Sequence, residues 1–177
     1  MMKLLSALFL LFLIFSHAHA VDYAKDDEEL PFVSIQALKD FSTLSEEVRT
    51  HNKIIMLEVS ASYCDYCYLL EEEIIKPMLR SGDYTDTVVI RQLEMDADDP
   101  LTDFSGVRTT HANIAKKYNI FLTPTLLFLD SQGNEVAPRI LGVNSLDYFG
   151  SYVDEALLIG LSKIRKYKTP ADTSPFN

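Results

Sequence analysis

Apolar and polar positions along this chain change period several times, and each change marks an element. From Ser34 the apolar residues Leu38, Phe41, Leu44 and Val48 fall at helical spacing, which predicts a helix ending near His51-Asn52. Ile54 to Val59 is a short, nearly continuous apolar run with β-branched residues, the pattern of a buried strand. After Cys64-Asp65-Tyr66-Cys67, helical spacing returns from Tyr68 through Leu69, Leu70, Ile74 and Ile75. This predicts a helix to about Leu79, with Pro77 kinking or ending it. Ser81-Gly82-Asp83 reads as a loop and Val88 to Glu94 as the next strand. Residues 95–109 are acidic (Asp96, Asp98, Asp99, Asp103) and include Pro100 and Gly106, so a solvated connection is expected; their spacing does not match an EF-hand.

Thr110 can cap a helix running through Ile114, Ala115 and Tyr118. Phe121 to Leu129 introduces a strand, Asp130 to Asn134 a turn, and Glu135 to Leu141 a return strand, together a hairpin. Gly142 and Ser145 break and cap before a last helix. Its apolar stripe is Leu146, Phe149, Val153, Ala156, Leu157, Gly160 and Ile164. Lys163, Arg165, Lys166 and Lys168 gather near its C-terminal end, where cations are favoured. Strands separated by helices imply parallel crossovers, and the terminal hairpin adds an antiparallel edge. The expectation is an α/β fold: a central four-stranded mixed sheet with helices on both faces.

The first twenty residues change the picture. A basic start at Lys3, an apolar run from Leu4 to Phe15 and small residues at Ala18 and Ala20 read as a secretory leader. A membrane-spanning helix needs ~20 apolar residues, so the leader reading is preferred to an uncleaved anchor. The expected organisation is a signal peptide over 1–20 cleaved after Ala20 and a flexible acidic lead-in over 21–33. One domain over 34–168 and a loose tail over 169–177 complete it. Export implies a periplasmic or secreted protein. The formal net charge of −10 repels phosphate backbones, and no basic cluster with interleaved aromatics occurs, so nucleic acid is not an expected partner. A monomer is expected, since no long dimerisation segment is present.

Cys64 and Cys67 are the chain's two cysteines, placed where the Ile54–Val59 strand gives way to a helix. Unpaired N–H groups and the positive end of the helix dipole there favour a thiolate at Cys64. A thiolate attacks disulfides, and a second cysteine three residues on can resolve the mixed disulfide. Two other readings remain beside this one. The pair with His51 or His111 would suit Cu(I) or Zn(II), although neither histidine has a spacing that ties it to the cysteines and both read as surface residues. An inert staple in a peptide-binding module is the other, weakened because so small a loop removes little unfolded-state entropy. No Gly-x-Ser-x-Gly or His-Glu-x-x-His hydrolase motif occurs.

From about Ser34 to Ile164 the chain resembles the thioredoxin superfamily. The strand ending in Glu58, the Tyr63-Cys64-Asp65-Tyr66-Cys67 turn, the Thr123-Pro124-Thr125 segment, the Asp130–Asn134 turn and Gly142 carry the resemblance. Within it, Thr102 to Val107 is similar to exported SoxW-type thioredoxins, relatives of the DsbC and DsbD redox domains. The resemblance implies a thiol–disulfide oxidoreductase acting on protein substrates, with Cys64 attacking and Cys67 resolving. It also implies a cis-proline at Pro124, with Thr123-Pro124 orienting the substrate and Tyr63 as an aromatic wall. Sequence alone leaves cis and trans even. Glu58, six residues before Cys64, falls where the family has a buried acid. A carboxylate there has a raised pKa and takes the proton from Cys67; the alternative is a surface glutamate at the strand's rim. No bound cofactor is needed, and a membrane electron donor of the DsbD type is implied.

The chain also departs from the pattern, having Asp65-Tyr66 between its cysteines and no tryptophan. Asp65 opposes thiolate formation at Cys64 and so favours the disulfide form. A reductase is therefore expected, with a potential nearer ~−270 mV than ~−120 mV.

Overall fold

The computed structural model describes residues 30–166. The expected leader, its cleavage site, most of the acidic lead-in and the tail lie outside the described residues. Along the chain, Phe41–His51 forms α1, Ile54–Ser60 β1 and Asp65–Leu70 α2, which continues through a π-helical turn, Glu71–Ile75, into Lys76–Ser81 (α3). Val88–Glu94 (β2), Leu101–Thr102 (β3), Arg108–Thr109 (β4) and His111–Lys117 (α4) follow. Thr125–Leu129 (β5), Ile140–Leu141 (β6) and Phe149–Lys166 (α5) complete the order.

β1 is buried along its whole length, as a strand covered on both faces must be. It pairs in parallel with β2, from Ile54 opposite Val88 to Ser60 opposite Glu94. It pairs antiparallel with β5, from Ile55 opposite Leu129 to Val59 opposite Thr125. The sheet order is β2-β1-β5-β6, the expected four-stranded mixed sheet. Because strand side chains alternate in direction, the apolar residues of β1 divide between two cores. Ile54 and Met56 join Leu70, Ile75, Phe128, Val153 and Leu157, beneath α2, the π turn and α5. Ile55, Leu57 and Val59 join Phe41, Leu44, Val48 and Ile114, beneath α1 and α4. Glu58 shares the parity of Ile54 and Met56, which turns it toward α2. On α5, Gly160 allows close approach to β1, since a Cβ there would stand 2.7 Å from Ile54 Cδ1.

Several boundaries differ from the sequence pattern, each for a local reason. The first helix starts at Phe41, not Ser34, because the Asp40 side chain accepts the Thr43 N–H as its cap. The residues before it run extended along β2, with Leu38 N donating to Gln92 O and Gln92 N to Gln36 O. Leu38 is thus buried from a strand-like segment. Pro77 does not end the second helix, which continues to Ser81. The π turn shifts the hydrogen-bond register just ahead of it, with Lys76 N donating to Glu71 O, so the missing proline donor falls where the ladder changes step.

The expected solvated connection holds the small β3–β4 hairpin. The fifth strand starts at Thr125 rather than Phe121. The return strand shrinks to Ile140–Leu141 plus one bridge from Glu135 to Leu129; Pro138 between them has no N–H to offer a ladder. The last helix begins at Phe149, after a turn in which Phe149 N donates to Leu146 O. No helix among the described residues is long and apolar enough to cross a membrane.

Candidate active site

The parallel register brings the C-terminal ends of β1 and β2 to the edge where β5 begins. From the end of β1 the chain turns over Ala61–Cys64, with Cys64 N donating to Ala61 O at 3.1 Å. Cys64 is the N-cap of α2: its Sγ accepts the Cys67 N–H at 3.1 Å, and its carbonyl accepts from Cys67 and Tyr68. The two sulfurs form a disulfide, with the Cα atoms 5.3 Å apart. Their surroundings differ. Cys64 is partly exposed, whereas Cys67 is only 2% exposed. Cys64 is therefore the more accessible of the pair.

Glu58 is fully buried. Its Oε1 has no hydrogen-bond partner, and its Oε2 receives a long contact of 3.4 Å from the Gln92 amide. The same amide donates to Glu71 Oε1 at 2.6 Å, so Gln92 bridges two carboxyl groups. Burial, reinforced by the negative charge of Glu71, pushes the Glu58 carboxyl up to about 8. Burial raises Glu71 as well, against the Gln92 hydrogen bond and Lys76, which lower it. Gln92 stands directly across from Glu58 in the β1–β2 register, and Glu71 lies seven residues after Cys64, two turns along the same helical face. Neither was singled out in the sequence, although strand pairing and helical period together point to both.

A second anchor holds the turn itself. Ser62 donates its N–H to Asp96 Oδ1 at 3.0 Å and its hydroxyl to Oδ2 at 2.6 Å. These bonds hold the Asp96 carboxyl below its usual range. Asp96 belongs to the acidic stretch that the sequence assigned to solvent, yet it ties the loop after β2 to the residue two before Cys64.

The Thr123–Pro124 peptide is cis. Pro124 is buried, precedes the Thr125–Val59 pair, and its carbonyl accepts the Gly142 N–H at 2.8 Å. It therefore stands at the same sheet edge as the cysteine turn. Tyr63 is 77% exposed beside Cys64.

One histidine assignment is corrected. His111, expected at the surface, is 4% exposed at the start of α4, where its Nδ1 donates to the Glu94 carbonyl at 2.8 Å. Its Nε2 is buried without a partner. His51 is exposed at the end of α1. Among the described residues no group of three or more His, Cys, Asp or Glu side chains is arranged to hold a metal ion.

Comparison with known proteins adds to this geometry. A family profile described as "thioredoxin-like domain" matches residues 42–157. The thiol:disulfide interchange protein DsbD of Yersinia pestis (strain Pestoides F) is 34% identical over 97 residues, covering 53% of this chain and 14% of that protein. DsbD of Campylobacter jejuni (strain RM1221) is 26% identical over 115 residues, covering 65% of this chain and 18% of that one. The chain thus spans less than a fifth of the length of these relatives. Among solved structures, one named "DsbH Oxidoreductase" superimposes with a TM-score of 0.54 at 15% identity, over 71% of this chain and 87% of the other, a likeness of fold.

Proposed function

This chain belongs to the thioredoxin-like domain family, and from that premise we propose that it is an exported thiol–disulfide oxidoreductase that reduces protein disulfides. The observation that carries the reading is the asymmetric cysteine pair at a helix start, Cys64 partly exposed and Cys67 buried, with the buried Glu58 carboxyl of raised pKa turned toward the same helix. In the reduced protein the Cys64 thiolate attacks one sulfur of a substrate disulfide. A Cys64–substrate bond forms, the substrate S–S bond breaks, and the departing thiolate takes a proton from solvent. Where Glu58 is ionised, Cys67 then gives its proton to that carboxylate and attacks Cys64. The Cys64–Cys67 disulfide closes, the second substrate thiolate leaves, and two electrons have passed from protein to substrate.

Each side chain has a part. Tyr63 walls the approach to Cys64, and the Thr123-Pro124 backbone orients an extended substrate beside it. Burial and the charge of Glu71 keep Glu58 protonated up to about pH 8, against the Gln92 hydrogen bond that favours its ionised form, and so set when it can accept. The working unit on this reading is the domain over 34–168, acting as a monomer outside the cytosol after removal of residues 1–20. Its disulfide is re-reduced by a membrane electron donor of the DsbD type. The relatives named for thiol:disulfide interchange support the reaction class.

The test is turnover of a disulfide-bonded protein such as insulin by the purified, reduced chain. Cys64→Ser is expected to abolish reduction. Cys67→Ser is expected to stop after one step and accumulate substrate joined to Cys64, visible as a mixed-disulfide band without reductant. Turnover at the wild-type rate by the Cys64→Ser protein would overturn the assignment.

A further inference from the structure

The sheet edge that carries Cys64 has an exposed apolar centre. Tyr63, Tyr66, Phe121 and Leu122 are 77, 61, 84 and 46% exposed. Tyr63 and Tyr66 flank Cys64, while Phe121 and Leu122 lead into Pro124, and Leu122 Cδ2 lies against Gly142. Grouped exposed apolar side chains rimmed by polar ones mark interaction surfaces. The rim here is mainly acidic, with one exposed cation, Arg108 of β4, in the neighbouring segment whose His111 bonds the end of β2. The segments that build this edge are 58–70, 92–100, 119–126 and 140–146. They place Asp65, Asp96, Asp98 and Asp99 at exposed positions and contain no lysine or arginine.

The opposite end of the sheet differs. There Arg49, Lys53 and Lys163 line a cleft of about 640 Å³ beside the start of β1, together with Asp130, and the exposed Asp83 and Asp86 lie just before β2, so this end carries both signs. Arg165 and Lys166 are exposed at the end of α5. The acidity of the cysteine edge is therefore a local property and not only a share of the overall charge.

We propose that this edge docks protein surfaces whose disulfide is flanked by lysine or arginine. The inference rests on the oxidoreductase reading above and names its substrate class. Three effects act in the same direction. Opposite charge raises the rate of encounter. A cation brought beside Asp65 and Asp96 offsets the carboxylates that disfavour a Cys64 thiolate. The same cation also lowers the pKa of the thiols released from the substrate, and low-pKa thiols leave faster. The faces of Tyr63 and Tyr66 can receive a guanidinium or ammonium group in addition. An anionic flank reverses the electrostatic contributions, so the surface also selects against acidic partners.

The probe is a set of three peptides of equal length. Each carries one central cysteine joined by a disulfide to 2-nitro-5-thiobenzoate, flanked by lysines, glutamates or serines. The Cys64 thiolate attacks the peptide sulfur, a Cys64–peptide disulfide forms, and the coloured nitrothiobenzoate thiolate departs with the electron pair of the broken bond. Each rate is divided by that of the uncharged reagent dithiothreitol with the same peptide, which removes intrinsic reactivity. At low salt the lysine peptide is expected to react at least about tenfold faster than the glutamate peptide. The ratio should collapse toward one in about 1 M salt, where screening acts over ~3 Å. The double variant Asp98→Asn/Asp99→Asn should also lower it.

A ratio near one at low salt, or a ratio the double variant leaves unchanged, overturns the inference. Reaction of the serine peptide in that case leaves the oxidoreductase reading standing. Failure of all three peptides to react overturns both. Self-association of the reduced protein at low salt, with rates falling as its concentration rises, would make the occupant a second copy of this chain and would also overturn the inference.

Discussion

At Glu58 the cost of burying a charge becomes a chemical property. A carboxylate with one oxygen unpartnered and the other held at 3.4 Å is poorly solvated, so the group keeps its proton to about pH 8. Glu71 adds a second carboxyl to the same amide, and Gln92 cannot hydrogen-bond fully to both charges. If Glu58 accepts the Cys67 proton, the resolving step must accelerate as Glu58 ionises. Single-turnover release of product from the Cys64 mixed disulfide should therefore rise through about pH 8 in the wild type. Glu58→Gln removes the acceptor. Its rate should fall by about 10²-fold and lose that inflection. Retention of the inflection in the variant would assign it to another group.

The elements show which parts of the fold were written in the pattern of residues. The strands Ile54–Ser60 and Val88–Glu94, and the helix capped by Thr110, declare themselves because burial and period coincide over several residues. The β3–β4 hairpin and β6 have two residues per strand, too few for any period to register. The π turn is a matter of hydrogen-bond step, and apolar spacing does not record it. The same limit applies within the site. The cysteine turn and Thr123-Pro124 are local motifs, whereas Gln92, Asp96 and the burial of His111 depend on which strands become neighbours. Phe104 illustrates the point: it lies in the acidic connection, yet stacks on Phe41 with ring centroids 4.3 Å apart.

That stack meets the β5–β6 turn at Gly133, which has φ +81°. A Cβ there would come within 2.6 Å of the Phe104 ring. Gly133→Ala therefore combines left-handed backbone strain with a clash against an aromatic pair. It should destabilise the protein by about 1–3 kcal/mol, read as a lower urea midpoint at unchanged slope. Wild-type stability in this variant would mean that the hairpin and the Phe104 loop move apart at little cost.

For the molecule as a whole, the buried carboxyl groups link stability to pH. Glu58 has a folded value of about 8 against an ordinary 4.5. Between these limits the folded state binds more protons than the unfolded state, so stability falls as pH rises, by at most ~1.4 kcal/mol per unit for one group. Glu71 is shifted in the same direction and adds to the slope. Asp40 and Asp96 act oppositely, because their carboxylates are held below the usual range by hydrogen bonds. Their contribution is present above the ordinary aspartate value and is lost in acid, and it is small because neither group is buried.

The oxidised protein should therefore be most stable in mildly acidic solution, near about pH 5, and lose stability up to about pH 8, above which the Glu58 contribution levels off. Glu58→Gln removes the largest source of this slope. Its urea-unfolding midpoint should change less with pH than that of the wild type and exceed it at about pH 9. Parallel curves for the two proteins would show that Glu58 ionises at an ordinary pH, and the inflection near pH 8 assigned to it in the resolving step would fall with that result.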